Sequence, residues 1–146
     1  MEYEVILAGK PIPLRRPRFS RGRVYDSQHK LKEAVSFDIS RQLPKGVITY
    51  LGPISMLFRF FMPIPKSLSK KKKLGLVGNY HYKKPDIDNL VKFYCDSANG
   101  VMFNDDSQIS NLKAFKYYSD DPRTEITMYH MDMLSMSMLS MSKEEV

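Results

Sequence analysis

The sequence predicts a single small α/β domain in which one mixed β-sheet is covered by two helices. Three observations carry that expectation. The chain has 146 residues, enough for one two-layer core and short for two independent ones. Segments of alternating apolar residues interleave with segments of helical period, in the order β, α, β, long loop, α, β, β. The balance of 42% hydrophobic and 12% aromatic residues is that of a packed globule and not of a disordered chain. One helical layer on one sheet is the economical way to bury both sets of apolar faces.

Residues 2 to 8, EYEVILA, alternate and open the chain as a strand that Gly9 closes. In the following KPIPLRRPRF, Pro11, Pro13 and Pro17 fix φ and bias their predecessors away from helix, so the arm is extended. Arg15, Arg16, Arg18, Arg21 and Arg23 then stand out along a stiff strip. Residues 28 to 42 place Leu31, Val35, Ile39 and Gln42 or Leu43 at helical spacing, with Asp26 or Ser27 as N-cap and Pro44 and Gly46 as the stop. Residues 53 to 62, PISMLFRFFM, read as a strand buried on one face and partly covered on the other. From Lys66 to Lys84 two glycines and no persistent period predict a long flexible loop.

Residues 86 to 99 predict a helix most clearly. At about 100° per residue, Ile87, Leu90, Val91, Tyr94 and Ala98 share one third of the circumference, and Asp88, Asn89, Lys92 and Asp96 lie opposite. Gly100 ends it. NDDSQ is a turn, SQISNLKAFKYY a strand, and YSDDPRT a turn into the strand EITMYHM, which together predict a hairpin. The expected domain is residues 1–132, and the Met- and Ser-rich residues 133–146 are a tail.

Composition removes several function classes. Cys95 is the single cysteine, which excludes an intrachain disulfide and a Cys-rich zinc site, and His29, His81 and His130 show no ligand spacing. The longest apolar run contains Arg59 and prolines, and no signal-peptide pattern leads the chain, so the expectation is a soluble, cytoplasmic protein without a membrane partner. Twenty-three Lys and Arg against sixteen Asp and Glu give +7, and the placement is uneven. No acid occurs between Ile39 and Pro85, while bases crowd the arm and the segment holding Lys66, Lys70, Lys71, Lys72, Lys73, Lys83 and Lys84. Such a field attracts a polyphosphate, with binding that weakens as salt rises. A merely solubilising surface and an anionic lipid patch are the alternatives.

Two acidic knots sit beside those bases, in PDIDN and in NDDSQ. Two residues apart in a regular helix, Asp86 and Asp88 would diverge by about 200°. They converge only if Asp86 lies just before the helix, where Pro85 permits it to start or cap the first turn. If the turn after the helix swings Asp105 or Asp106 back, three carboxylates meet in an oxygen-rich cage for Mg2+ or Mn2+. A divalent cation there suits phosphodiester hydrolysis, and Lys92 could neutralise charge on the phosphate. The structural reading of the same residues stands beside this one. Asp is a common helix cap, Asn-Asp a common turn, Asp96 can simply pair with Lys92 one turn away, and Tyr117 and Tyr118 read as sheet residues, with stacking on a nucleobase the lesser alternative.

The stretch KKPDIDNLVKFYCDSANGVMFNDDSQI closely resembles the signature of the RusA-type Holliday junction resolvases, and GKPIPLRRPRFSRGRVYDS and MPIPKSLSKKKK resemble the basic segments of the phage and Gram-positive branch. The likeness runs over roughly residues 5 to 130. It implies a RusA-like α/β homodimer that uses magnesium or manganese to nick opposed strands of four-way DNA junctions, in recombination and repair. By the same resemblance Asp86, Asp88 and Asp106 are catalytic and metal-binding, Lys92 is the essential lysine, Asp105 assists at the metal, and the bases of both segments hold branched DNA. A non-catalytic nucleic-acid-binding protein is the competing class, and a partner-binding protein with an acidic ligand a third.

Overall fold

The structure, a computed structural model, describes residues 1–131; the tail at 133–146 lies outside the described residues. Its elements in chain order are β1 (Glu2–Ala8), β2 (Arg18–Ser20), β3 (Arg23–Tyr25), α1 (His29–Arg41), β4 (Ile54–Pro63), α2 (Lys70–Leu76), α3 (Ile87–Ala98), β5 (Ile109–Ser119) and β6 (Arg123–His130). Strict alternation decides the centre of the sheet. Ile54, Met56, Phe58, Phe60 and Met62 all point to one side of β4 and are at most 1% exposed. A strand so fully buried needs neighbours on both edges. It pairs in parallel with β5 and antiparallel with β6, and β1 closes the other side of β6, giving the order β1-β6-β4-β5. The small mixed sheet of the sequence reading is therefore present.

The expected hairpin of the last two strands is not. Although β5 and β6 are joined by only Asp120, Asp121 and Pro122, β4 lies between them. The link passes over the end of β4, where Pro63 opposes Ser119 and Phe61 opposes Arg123. Four Cα steps reach up to about 14 Å, enough to cross two strand spacings of about 4.8 Å.

Three further elements differ from expectation. Residues 66–84 are not a structureless loop, because α2 forms within them; Ser69 Oγ accepts from Lys72 N at 3.3 Å as its N-cap. The arginine strip folds back as the β2–β3 hairpin, with Arg21 (φ 49°) and Gly22 (φ 75°) as its two-residue loop and Ser20 opposite Arg23. Both loop residues in the left-handed region is the backbone of a tight hairpin turn. Neither Asp26 nor Ser27 caps α1. Gln28 holds the N-cap position, and Asp26 instead accepts from Gln28 N at 2.9 Å and from Lys32 Nζ at 2.8 Å.

α1 and α3 share one face of the sheet. Ile39 of α1 and Leu90, Phe93, Tyr94 and Ala98 of α3 join the buried side of β4, together with Val5, Ile126 and Met128 of the flanking strands. The arm is fastened across this layer: Ile12 N donates to Tyr94 Oη (3.0 Å), Leu14 N to the carbonyl of Asn89 (2.9 Å), and buried Gln28 bonds both Arg15 N and the carbonyl of Pro13. Among the described residues no helix is long and apolar enough to cross a membrane.

Candidate active site

After α2 the chain returns along the outer edge of β5. Gly78 N donates to the carbonyl of Tyr118, Tyr118 N to that of Asn79 and His81 N to that of Lys116, each at 2.9 Å. Lys116 then reaches from β5 and donates its ammonium to the carbonyls of Lys83 (2.7 Å) and Pro85 (2.8 Å). This clamp delivers the chain to the start of α3. Partial burial of Lys116 lowers its pKa, yet its ammonium donates to both carbonyls. Lys116→Met is accordingly expected to cost roughly 1–3 kcal/mol of stability, measured by urea denaturation, and to raise amide exchange over residues 83–86. Unchanged exchange there would show that the clamp does not hold the segment.

Asp86 occupies the N-cap position of α3 with an extended backbone (φ −68°, ψ 141°), but its side chain makes no capping hydrogen bond. Instead Oδ1 accepts from Lys84 Nζ at 2.8 Å. The hydrogen bond and charge of that ammonium hold the Asp86 carboxyl below the usual carboxylate range. Asp88 stands in the first turn. Both acids are exposed and line one open cavity of about 650 Å³, whose walls also include Tyr80, Tyr82, Lys83, Lys84, Phe115 and Lys116. Placing Asp86 just outside the helix thus does what the spacing required, and the capping reading of PDIDN does not describe Asp86.

The second acidic knot is different. Asp105 Oδ2 accepts from Ser107 N (3.0 Å), and Gln108 Oε1 accepts from Asp105 N (3.0 Å), a reciprocal cap on the short 3-10 turn Asp106–Gln108. Gln108 Nε2 also donates to the carbonyls of Tyr50 and Gly52, which pins the turn. Asp105 is therefore a turn former, held below the usual carboxylate range by its Ser107 bonds. Asp106 does not line the cavity of Asp86 and Asp88. Val101 N and Met102 N bond back to the carbonyl of Ala98, and Met102 and Phe103 are buried, so the return after Gly100 is short and stays at the far end of α3. There burial, and then the charges of Asp106 and Asp96, push the Cys95 thiol up to about 11. Among the described residues no three His, Cys, Asp or Glu side chains are grouped to hold a metal ion. Of the three carboxylates, Asp86 and Asp88 share one cavity.

The charge of Asp106 is felt at Cys95 of α3. Cys95 follows Asp88 by seven residues, which is nearly two turns and returns to almost the same angle about 10 Å along the axis. Lys92 lies between them, 60% exposed, with Asp96 Oδ1 3.5 Å from its Nζ. Asp96 also faces Lys32 of α1 at 3.4 Å, and Lys32 bonds Asp26. Asp96 joins the two helices electrostatically, a structural part that accounts for it.

A family model described as endodeoxyribonuclease RusA matches residues 8–129, from the end of β1 through β6 and over every acid and base named above. The chain belongs to the RusA endodeoxyribonuclease family. It is also similar to the Bacillus subtilis (strain 168) protein named uncharacterized protein YqaN, with 37% identity over 130 residues covering 81% of this chain and 89% of the relative.

In this RusA-family chain Lys83 and Lys84 line the cavity of the acids, and other bases line neighbouring grooves. Lys10, Pro11, Ile12, Pro13 and Arg15 of the arm line a groove of about 550 Å³ with Lys84 and Pro85. Lys10, Lys66, Lys83 and Lys84 line another of about 400 Å³. Arg16, Arg18, Arg21 and Arg23 are exposed on the arm and its hairpin. Lys70, Lys71, Lys72 and Lys73 fill the first turns of α2, where Lys70 and Lys73 border a recess shared with Pro63 and Ser119. The sequence reading omitted Lys116, Tyr80, Tyr82 and Phe115 from the site. Alternation of rings and bases in YHYKK, just before PDIDN, was the available signal for two of them; the β5 residues enter only through strand order.

Proposed function

We propose that this protein is a divalent-metal-dependent endonuclease that resolves four-way DNA junctions by paired, symmetric phosphodiester hydrolysis. The observation that carries the reading is the pair Asp86 and Asp88, open to one cavity with neither carboxylate spent on capping the helix. Magnesium is commonly held by one or two carboxylates, with waters and substrate phosphates in its other positions, so this donor pair fits it or Mn2+. When bound, the cation supplies Lewis-acid stabilisation of charge on the phosphodiester and its leaving oxygen.

The chain's own residues do the rest. Lys84 neutralises Asp86 in the absence of a cation, and its exposure leaves it able to turn to a phosphate. Lys92, one turn beyond Asp88, presents an ammonium to the developing negative charge. Asp106, whose charge is felt at Cys95 of α3, is the third catalytic acid and joins Asp86 and Asp88 in holding the cation, with Asp105 assisting beside it. Arg15, Arg16, Arg18, Arg21, Arg23, Lys70–Lys73, Lys83 and Lys84 hold flanking phosphates, contacts that position DNA without reading its sequence. Two symmetric cuts call for two such centres about a two-fold axis, hence a homodimer; sedimentation as a monomer at working concentration would count against it. The setting is soluble and cytoplasmic.

The deciding experiment compares a four-way junction with linear duplex of the same sequence, with Mg2+ and with EDTA. Two opposed nicks are expected in the junction with Mg2+ alone. Cleavage undiminished by EDTA, or none on either DNA, overturns the reading. The competing reading, a non-catalytic DNA-binding protein, draws on the turn-forming Asp105 and helix-joining Asp96 and expects binding without any reaction. The hairpin gives a separate test. Replacing Arg18, Arg21 and Arg23 together by Ala should weaken binding to every DNA alike and lower the slope of log K against log salt by about 2–3. An unchanged slope would remove the hairpin from the interface.

A further inference from the structure

Acids and bases leave one feature of the site unused, its rings. Tyr80 and Tyr82, at the cavity that holds Asp86 and Asp88, are 66% and 78% exposed. Tyr80 lies nearly parallel to Tyr117, with centroids 5.4 Å apart and planes at 24°. Tyr117 continues to Phe115 at 6.0 Å and 17°, and across the strands to Phe61 at 5.6 Å and 29°. Tyr80, Tyr117, Phe115 and Phe61 therefore tile one surface, the sheet face opposite the buried side of β4, and Tyr82 stands beside Tyr80 and Phe115 at the cavity. Cations interleave with them. Lys83 Nζ stands 4.9 Å from the centre of the Tyr82 ring and the Arg123 guanidinium 3.8 Å from that of Phe61.

Single exposed rings need no explanation. A contiguous tile of rings set among cations is the composition that takes unpaired nucleobases, since every base has a π face and a phosphate behind it. In continuous duplex those faces are hidden by stacking. At a branch point the strands part, and unstacking is least costly where pairing is already interrupted. Because Tyr80, Tyr82 and Phe115 wall the same cavity as the two acids, a base seated on them keeps its own backbone beside Asp86 and Asp88. Tyr118 is not part of this surface, being buried with its ring 4.7 Å from that of His81.

We propose that Tyr80 and Tyr82, backed by Tyr117 and Phe115, form a stacking platform that receives a nucleobase unstacked at the branch point and so selects branched over continuous DNA. This rests on the junction-nuclease reading and deepens it. It is tested in the Asp88→Asn background, using a four-way junction with one 2-aminopurine at the branch point and a matched linear duplex. A base–ring stack of usual strength corresponds to roughly 5- to 150-fold in affinity. Tyr80→Leu with Tyr82→Leu should lower the junction-to-duplex affinity ratio at least about fivefold, leave duplex affinity unchanged, and alter 2-aminopurine emission in the complex. Tyr80→Phe with Tyr82→Phe, which keeps both rings, should behave as the parent. Thermal melts by circular dichroism check that each variant folds, and single leucine variants replace the double one if it does not. If the parent prefers and cuts junctions and the leucine variants match it in selectivity and emission, the platform alone is overturned. If the unsubstituted protein neither prefers nor cuts junctions, the junction reading fails and takes the platform with it.

Discussion

Asp88→Asn is expected to abolish junction cleavage, by at least about 10²–10³-fold, while junction binding is kept or strengthened. The substitution is nearly isosteric and falls on an exposed first-turn residue, so the fold should not register it. It removes one of two negative charges from a cavity that must accept both a cation and a phosphodiester. Losing that charge weakens cation binding and at the same time relieves repulsion of DNA, which is why affinity and rate should move in opposite directions. Calorimetric titration with Mn2+ gives a second readout, and there the affinity should fall. Asp106→Asn tests the second acidic knot. As the third acid at the cation, Asp106 should be needed for cleavage and its loss should also lower Mn2+ affinity. Normal cleavage by Asp88→Asn would remove the mechanism; unchanged Mn2+ affinity in Asp106→Asn would take Asp106 off the cation.

What was legible in the sequence follows from where the local signal and the tertiary constraint agree. The central strand was readable because alternation in PISMLFRFFM is the burial pattern itself. α3 was readable from its wheel, and Pro85 placed Asp86 outside it. The placement of β4 between β5 and β6 was not, because turn chemistry in SDDPR reports that the chain reverses and not which strand it reverses onto. The lysine-rich α2 has Gly75 and no amphipathic period, so only its Ser69 cap marked it. For the site, the first acidic pair was local and could be inferred from spacing. Asp106 depended on how tightly residues 101–105 fold against the end of α3, which the buried Met102 and Phe103 decide. The clamp by Lys116 was invisible because it joins residues more than thirty apart.

Phe93→Ala should cost about 3–5 kcal/mol of unfolding free energy, a large share of the roughly 5–15 kcal/mol that holds a domain of this kind together. Phe93 lies outside the narrow stripe of Ile87, Leu90, Val91, Tyr94 and Ala98, yet it is 0% exposed. The buried arc of α3 is wider than its sequence pattern because the helix is covered by the sheet, by α1 and by the arm fastened to Asn89 and Tyr94. Phe93 packs edge-on to Tyr94 at 5.0 Å within the main core, so truncation leaves a void that neighbours on three sides cannot collapse into. Since α3 carries Asp86, Asp88 and Lys92, activity near the transition should track the folded fraction and recover on cooling. Val91→Ala, at a half-buried position of the same helix, should cost distinctly less. Urea denaturation measures both, and a Phe93→Ala loss below about 1 kcal/mol, far under the usual range for a buried phenylalanine, would mean that α3 is not seated on the sheet through this ring.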